Sequence, residues 1–280
     1  MKSKNKWQNY IHQMRKREID IIFKAYPDKH FKSALEMGAG DGFQSKLLFR
    51  YTKRLISTDF DPNRLRQQDQ DGIQYKICDA ELIDTYFNGE TFDLIFSSNL
   101  FEHLPNVDNA LLRIKSITQP DSLVVLIMPS PFWALCHFFL YYPVKIYDFG
   151  KKRFRKIEKK SNKIYKAKVL SSLNRGNNLK ALPLTRPGFL NKIRWPQPHG
   201  VSNTNFEELI KFRKKFWCAK FKSNGFKIID IKKGPVMSGY GFQLDRIRAV
   251  LERLGFAGEY IYYLSPIIPR SLSTATKKKV

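Results

Sequence analysis

Cysteine is scarce and unpatterned: Cys78, Cys136 and Cys218 make three, with no CxxC pair among them. That excludes a disulfide framework and a thiolate zinc site, and it fits a reducing compartment. The N-terminus, MKSKNKWQNY, is charged without an apolar core, so no secretory leader is expected. A membrane-spanning run is missing as well. The most apolar stretch, PFWALCHFFLYYPV over 131–144, has 14 residues, and extending it backwards would put Pro129 and Pro131 in mid-span. Acid is what the second half lacks. Residues 1–130 hold 18 Lys+Arg against 17 Asp+Glu, a net of +1, whereas residues 131–280 hold 32 against 8, a net of +24. Solubility alone does not require such segregation, which points to an anionic partner: a phosphate-bearing substrate, a membrane surface or RNA. With 280 residues and 42% hydrophobic content, the chain can bury one substantial core with an added subdomain.

The stretch SALEMGAGDGF, Ser33 to Phe43, is a short apolar run that ends in an acid and then places glycine at every second position, Gly38, Gly40 and Gly42. A helical pattern follows, so the order is strand, turn, helix, as in nucleotide-binding α/β units. Glycine supplies the positive φ angles and the close backbone approach that such a turn needs. Phe43 stands where a dinucleotide fingerprint would have its last glycine, which argues against a pyrophosphate ligand. Glu36 beside the loop suits an ammonium group, and the following helix N-terminus suits a carboxylate; S-adenosylmethionine carries both.

Further strands are expected at 54–58, 73–77, 92–97 and 123–128, alternating with helices in the first 130 residues. They predict an α/β fold with a doubly wound, mostly parallel sheet and the ligand at the carboxyl ends of its first strands. Candidate residues recur at those ends. Asp59 is placed to take two ribose hydroxyls, Asp79 to accept from an adenine amino group, and Ser97 closes the fourth strand. Asn99-Leu100-Phe101-Glu102-His103 follows, and His103, with Glu102 as its partner, is the candidate base for a hydroxyl proton.

Glu36 with the three glycines, Asp59 in STDFDP, Asp79 in CDAE and the run FDLIFSSNLFEHL together resemble class I S-adenosylmethionine-dependent methyltransferases over about residues 30–130. They are similar to the subgroup that includes ubiquinone-pathway and surface-polysaccharide enzymes. The resemblance implies S-adenosyl-L-methionine as cofactor, with Glu36 and the glycines at its methionine part, Asp59 at its ribose and Asp79 with Ala80 at its adenine. It also implies a seven-stranded Rossmann-like sheet with an antiparallel last pair. Gln119-Pro120-Asp121 stands where many relatives have a Pro-Gly-Gly turn, so a shifted turn before strand five is expected. The 99–103 stretch is similar to the ExxEH metal site of ubiquinone and small-RNA O-methyltransferases, but Asn99 replaces the first glutamate and no metal is assigned.

Residues 131–203 read as an aromatic and basic helical insertion or lid. Ten of the residues between Lys151 and Lys168 are Lys or Arg, a pattern suited to an anionic membrane surface. His199, in Pro198-His199-Gly200, is the other histidine that a folded-back lid could bring to the site. Residues 204–268 are expected to supply a long helix over 204–223, strands at 226–231 and 260–264, and a helix near 242–254, with a disordered basic tail at 269–280. The reading is a cytoplasmic enzyme, peripheral on the inner face of the membrane, that O-methylates a saccharide, lipid-linked sugar or other membrane-proximal acceptor. An RNA methyltransferase using the basic half is the alternative. The oligomeric state is left open.

Overall fold

The computed structural model describes residues 2–24, 26, 29–65, 72–143, 146–147, 198–237 and 244–268. The basic run 151–168, the lid loop up to 197 and the tail from 269 lie outside them. The chain divides into two units, residues 1–136 with 198–280 and residues 137–197; the site described below lies within the first.

Seven strands form one sheet: β1 (Phe31–Met37), β2 (Thr52–Asp59), β3 (Ile73–Ile77), β4 (Phe92–Ser98), β5 (Thr118–Pro129), β6 (Phe226–Lys233) and β7 (Glu259–Pro266), in the spatial order β3-β2-β1-β4-β5-β7-β6. The first five are parallel, and β7 runs antiparallel to both β5 and β6. The order reverses between β1 and β4, which opens a crevice at their carboxyl ends. The central strands are apolar on both faces because both are covered. Leu35, Ile56, Ile95, Val124 and Leu126 pack with Phe221 and Tyr262 on one side, and Ala34, Leu55, Leu94 and Val125 pack with Ile22 and Phe23 on the other.

The helices are α1 (Lys2–Lys24), α2 (Phe43–Leu48), α3 (Ile83–Tyr86), α4 (Val107–Ser116), α5 (131–143), α6 (Asn205–Lys211), α7 (Lys214–Ser223) and α8 (Asp245–Arg253). No helix among the described residues is long and apolar enough to cross a membrane. Two local expectations are corrected. β5 begins at Thr118, and the Gln-Pro-Asp segment is taken into it as a bulge between the pairs Phe92/Thr118 and Leu94/Leu123. Ser122 closes that bulge, accepting from Gln119 N at 2.8 Å and donating to Phe92 O at 2.6 Å. The long helix over 204–223 is two helices, because the chain turns at Phe212 to bury that ring beside Trp133 and Tyr10. Its expected start holds: Thr204 caps α6, its Oγ1 accepting from Glu207 N at 3.1 Å.

Candidate active site

At the carboxyl ends of β1, β2 and β4 lies a cleft of about 1040 Å³, at the upper end of the volumes typical of ligand pockets. Gly38 and Gly40 form its floor with φ of 81° and 59°. The turn is held from β2: Thr58 O accepts from Gly38 N and Ala39 N at 2.8 and 2.9 Å, while Asp59 Oδ2 accepts from Gly40 N at 2.8 Å and Oδ1 from Asp61 N at 3.0 Å. Asp59 therefore shapes the loop and faces the cleft at once. Asp79 lines the same cleft with Ala80, and its Oδ1 accepts from Glu81 N at 2.9 Å. Phe60, 76% exposed, lines the same cleft directly after Asp59 and adds an aromatic ring to it that strand-end position alone does not mark as a site residue.

Four expected residues lie outside the cleft wall. Gly42, with φ 74°, is the N-cap of α2, which has only six residues. Ser97 is buried and donates to Met37 O at 3.0 Å; its neighbour Ser98 reaches the cleft instead. Glu36 is buried beneath the loop, where Oε2 accepts from Ser45 Oγ at 2.5 Å and Ser57 Oγ at 2.7 Å. Burial raises its carboxyl to about 6, against the pull of those two hydroxyls. It thereby ties α2 to β2 under the glycine turn. Glu102 also sits behind the wall, while His103 stands in it.

The remaining wall comes from α1, through Gln8, Ile11, His12 and Arg15. His12 stacks on Phe43 with centroids 3.8 Å apart and meets Asp41 Oδ2 at 2.9 Å. Arg15 enters a buried charge cluster. Its Nη1 donates to Glu18 Oε1 at 2.8 Å and to Ser98 Oγ at 2.5 Å, and the Asn99 oxygen, turned toward it, accepts at 2.7 Å. Burial works against the Arg15 charge, but Glu18 and Glu259 more than offset it, so its pKa is raised. Burial likewise pushes the Glu259 carboxyl well up, with Glu18 adding to the effect. Asn99 is the only described non-glycine residue at positive φ, 51°, a conformation that costs free energy and is kept where the surroundings enforce it.

Beyond Asn99 the chain makes a tight turn, Phe101–His103, that buries Glu102 and leaves His103 half-exposed. The loop at 199–201 folds onto this turn: Val201 N donates to Glu102 O at 3.2 Å, and a Cβ on Gly200 would lie 2.4 Å from that oxygen. The close approach brings the His199 ring to 4.6 Å from His103. Ligand atoms of Glu102, His103 and His199 all lie within 4.8 Å of one another. Both Glu102 oxygens are buried without a hydrogen-bond partner among the described residues, and burial raises that carboxyl to about 8. Burial, with Arg64 nearby, lowers the His103 pKa, so its imidazole is neutral near pH 7. His199 N donates to Glu208 Oε1 at 2.5 Å, and burial raises the Glu208 carboxyl to about 7.

A sheet in this strand order, with a glycine turn after β1 and acids closing β2 and following β3, defines an α/β nucleotide-binding enzyme. The comparisons make it specific. Residues 35–126 match the family model described as a methyltransferase domain, so the chain contains an S-adenosylmethionine-dependent methyltransferase domain. No curated protein matches it in sequence. Among solved structures it is similar to an S-adenosylmethionine-dependent methyltransferase from Listeria monocytogenes, at 11% identity and a TM-score of 0.53 over 92% of this chain and 99% of that one. It is also similar to a methyltransferase in complex with the Trm112 methyltransferase activator from Haloferax volcanii, at 10% identity and a TM-score of 0.56 over 95% and 96%. At those identities the likeness speaks for the fold. The glycine floor, the two acids and the open face of Phe60 fit a nucleoside-bearing cofactor.

Proposed function

We propose that this methyltransferase acts on a hydroxyl oxygen of a saccharide, a lipid-linked sugar or a related acceptor near a membrane surface. The observation that carries the reading is His103, set in the wall of the cleft that holds the glycine turn and the two acids. When bound, S-adenosylmethionine supplies an electrophilic methyl group on sulfur. Asp59 would hold its ribose, and Asp79 and Ala80 its adenine edge, with Phe60 against the ring. His103 would accept the hydroxyl proton at Nε2 or Nδ1 as oxygen attacks carbon, a step that needs a neutral imidazole. Little else is required, since displacement at a methyl group depends mainly on alignment and on excluding water. The concentration of positive charge after residue 130 supports an anionic acceptor or a surface that carries it.

The test is methyl transfer from labelled cofactor into separated lipid, saccharide and RNA fractions. Label in an ether-linked methyl of a lipid or saccharide supports the reading. Label confined to RNA would establish the alternative, an RNA methyltransferase whose basic half provides affinity for phosphates.

A second reading of the same corner is favoured by the convergence of Glu102, His103 and His199. Two imidazoles and one carboxylate suit Mn²⁺, Fe²⁺ or Zn²⁺ better than Mg²⁺. A buried carboxyl with no hydrogen-bond partner among the described residues that gains a cation would ionise to meet it. His199 would supply the third ligand atom in place of the glutamate that Asn99 replaces. Calorimetric titration of the chelator-treated protein with Mn²⁺ and Zn²⁺ tests this apart from activity: one site per chain, lost in His199→Ala, supports it, and no binding refutes it.

A further inference from the structure

Helix α8 is amphipathic the wrong way round for a helix that only covers a sheet. One of its three arginines points inward: Arg248 is 6% exposed, pairs with Asp245 at 2.5 Å and lies 4.5 Å from the centroid of the Tyr10 ring. Its aliphatic stripe points outward, with Ile247 55% exposed, Val250 52% and Leu254 69%, spaced three and four residues apart along one face. Exposing these side chains gains the folded chain nothing, since each leaves apolar surface in water. Arg246 and Arg253, seven residues apart and therefore on one flank of that stripe, are exposed, and neither pairs with a carboxylate among the described residues. Phe256, just past the helix, rests on Phe132 with centroids 4.6 Å apart, so the stripe continues to the start of the charge-free aromatic segment.

The geometry points to α8 as the helix that seats this enzyme on an anionic lipid bilayer. The occupant follows from the chemistry. An apolar stripe with arginines at its edge and no free acid beside it complements acyl chains beneath anionic headgroups, and the chain after residue 130 carries a net +24. The seat is coupled to the cleft. Glu252 of α8 accepts from Arg17 Nη2 at 2.7 Å, Arg248 stacks on Tyr10, and the same helix α1 sends Ile11, His12 and Arg15 into the cleft wall. Docking through α8 is thereby linked, through α1, to one wall of the cleft. The inference does not depend on the acceptor: vesicle binding and methyl transfer are separate readouts and can fail separately.

The test is co-sedimentation of the full chain with phosphatidylcholine vesicles, with and without phosphatidylglycerol. The triple variant Ile247→Ser, Val250→Ser, Leu254→Ser should lower partitioning at least about tenfold, while its thermal midpoint and cofactor affinity stay those of the wild type. Arg246→Glu with Arg253→Glu should weaken the preference for anionic vesicles. Wild-type partitioning by the triple variant overturns the proposal, as does a wild-type protein that ignores vesicles. A wild-type dimer that the triple variant makes monomeric would overturn it in favour of a second copy on this face.

Discussion

Replacing Glu102 by Gln removes a buried ionisation while keeping the shape of the side chain. Burial raises the folded carboxyl from 4.5 to about 8. A carboxyl raised on folding holds its proton longer in the native state, so its contribution to stability is fully present below pH 4.5 and is lost as pH rises toward 8. At 1.36 kcal/mol per pK unit, the loss reaches about 3 kcal/mol at pH 7 and about 4 kcal/mol at pH 8. These are ceilings, because an ionised buried carboxylate draws in water or shifts. Neither oxygen has a hydrogen-bond partner among the described residues, so glutamine at this position costs about what the protonated acid costs. The variant should match the wild type near pH 4.5 and melt progressively higher from pH 6 to 8, by roughly 2 to 4 °C for each kcal/mol. Thermal melts of both proteins across that range are the assay. Parallel curves at all pH values would refute the burial of a Glu102 carboxyl without a hydrogen bond. Repeating the melts with Mn²⁺ separates the two readings of the corner: a bound cation stabilises the wild type at pH 7 and not Glu102→Gln.

Three further outcomes follow from the cleft. Asp59→Ala should weaken S-adenosylmethionine binding by about 1–3 kcal/mol in calorimetry, through lost contacts to the ribose and release of Gly40 N. Gly40→Val should go further, since φ is 59° and the added Cβ lies 3.4 Å from Arg64 Nη2; wild-type affinity in a folded variant would remove the turn from the site. His103→Ala should cut the methyl-transfer rate by about 10² or more with cofactor affinity nearly unchanged, and equal losses in both would mark a structural histidine.

The sheet was legible because buried parallel strands leave continuous apolar runs, and β3 has the bounds read from the sequence, Ile73–Ile77. Asp59 and Asp79 were legible from their place at strand ends. Glu36 was read as facing the ligand because it adjoins the glycines. Its direction is decided instead by Ser45 and Ser57, which are 9 and 21 residues away. The cluster of Arg15 and Glu18 with Ser98, Asn99 and Glu259 left no local trace, since its members come from both ends of the chain. His199 reached His103 through a loop contact that only Gly200 permits. For α8, periodicity marked a helix near 242–254 but could not tell which face is buried: an apolar stripe reads the same whether it meets a core or a solvent boundary.

The most direct test of the account is a crystal structure of the protein with S-adenosylhomocysteine. The ribose is expected on Asp59, the adenine between Phe60 and Asp79, and the sulfur toward His103. A product bound elsewhere, or one whose sulfur faces away from His103, would contradict the arrangement from which the reaction has been derived.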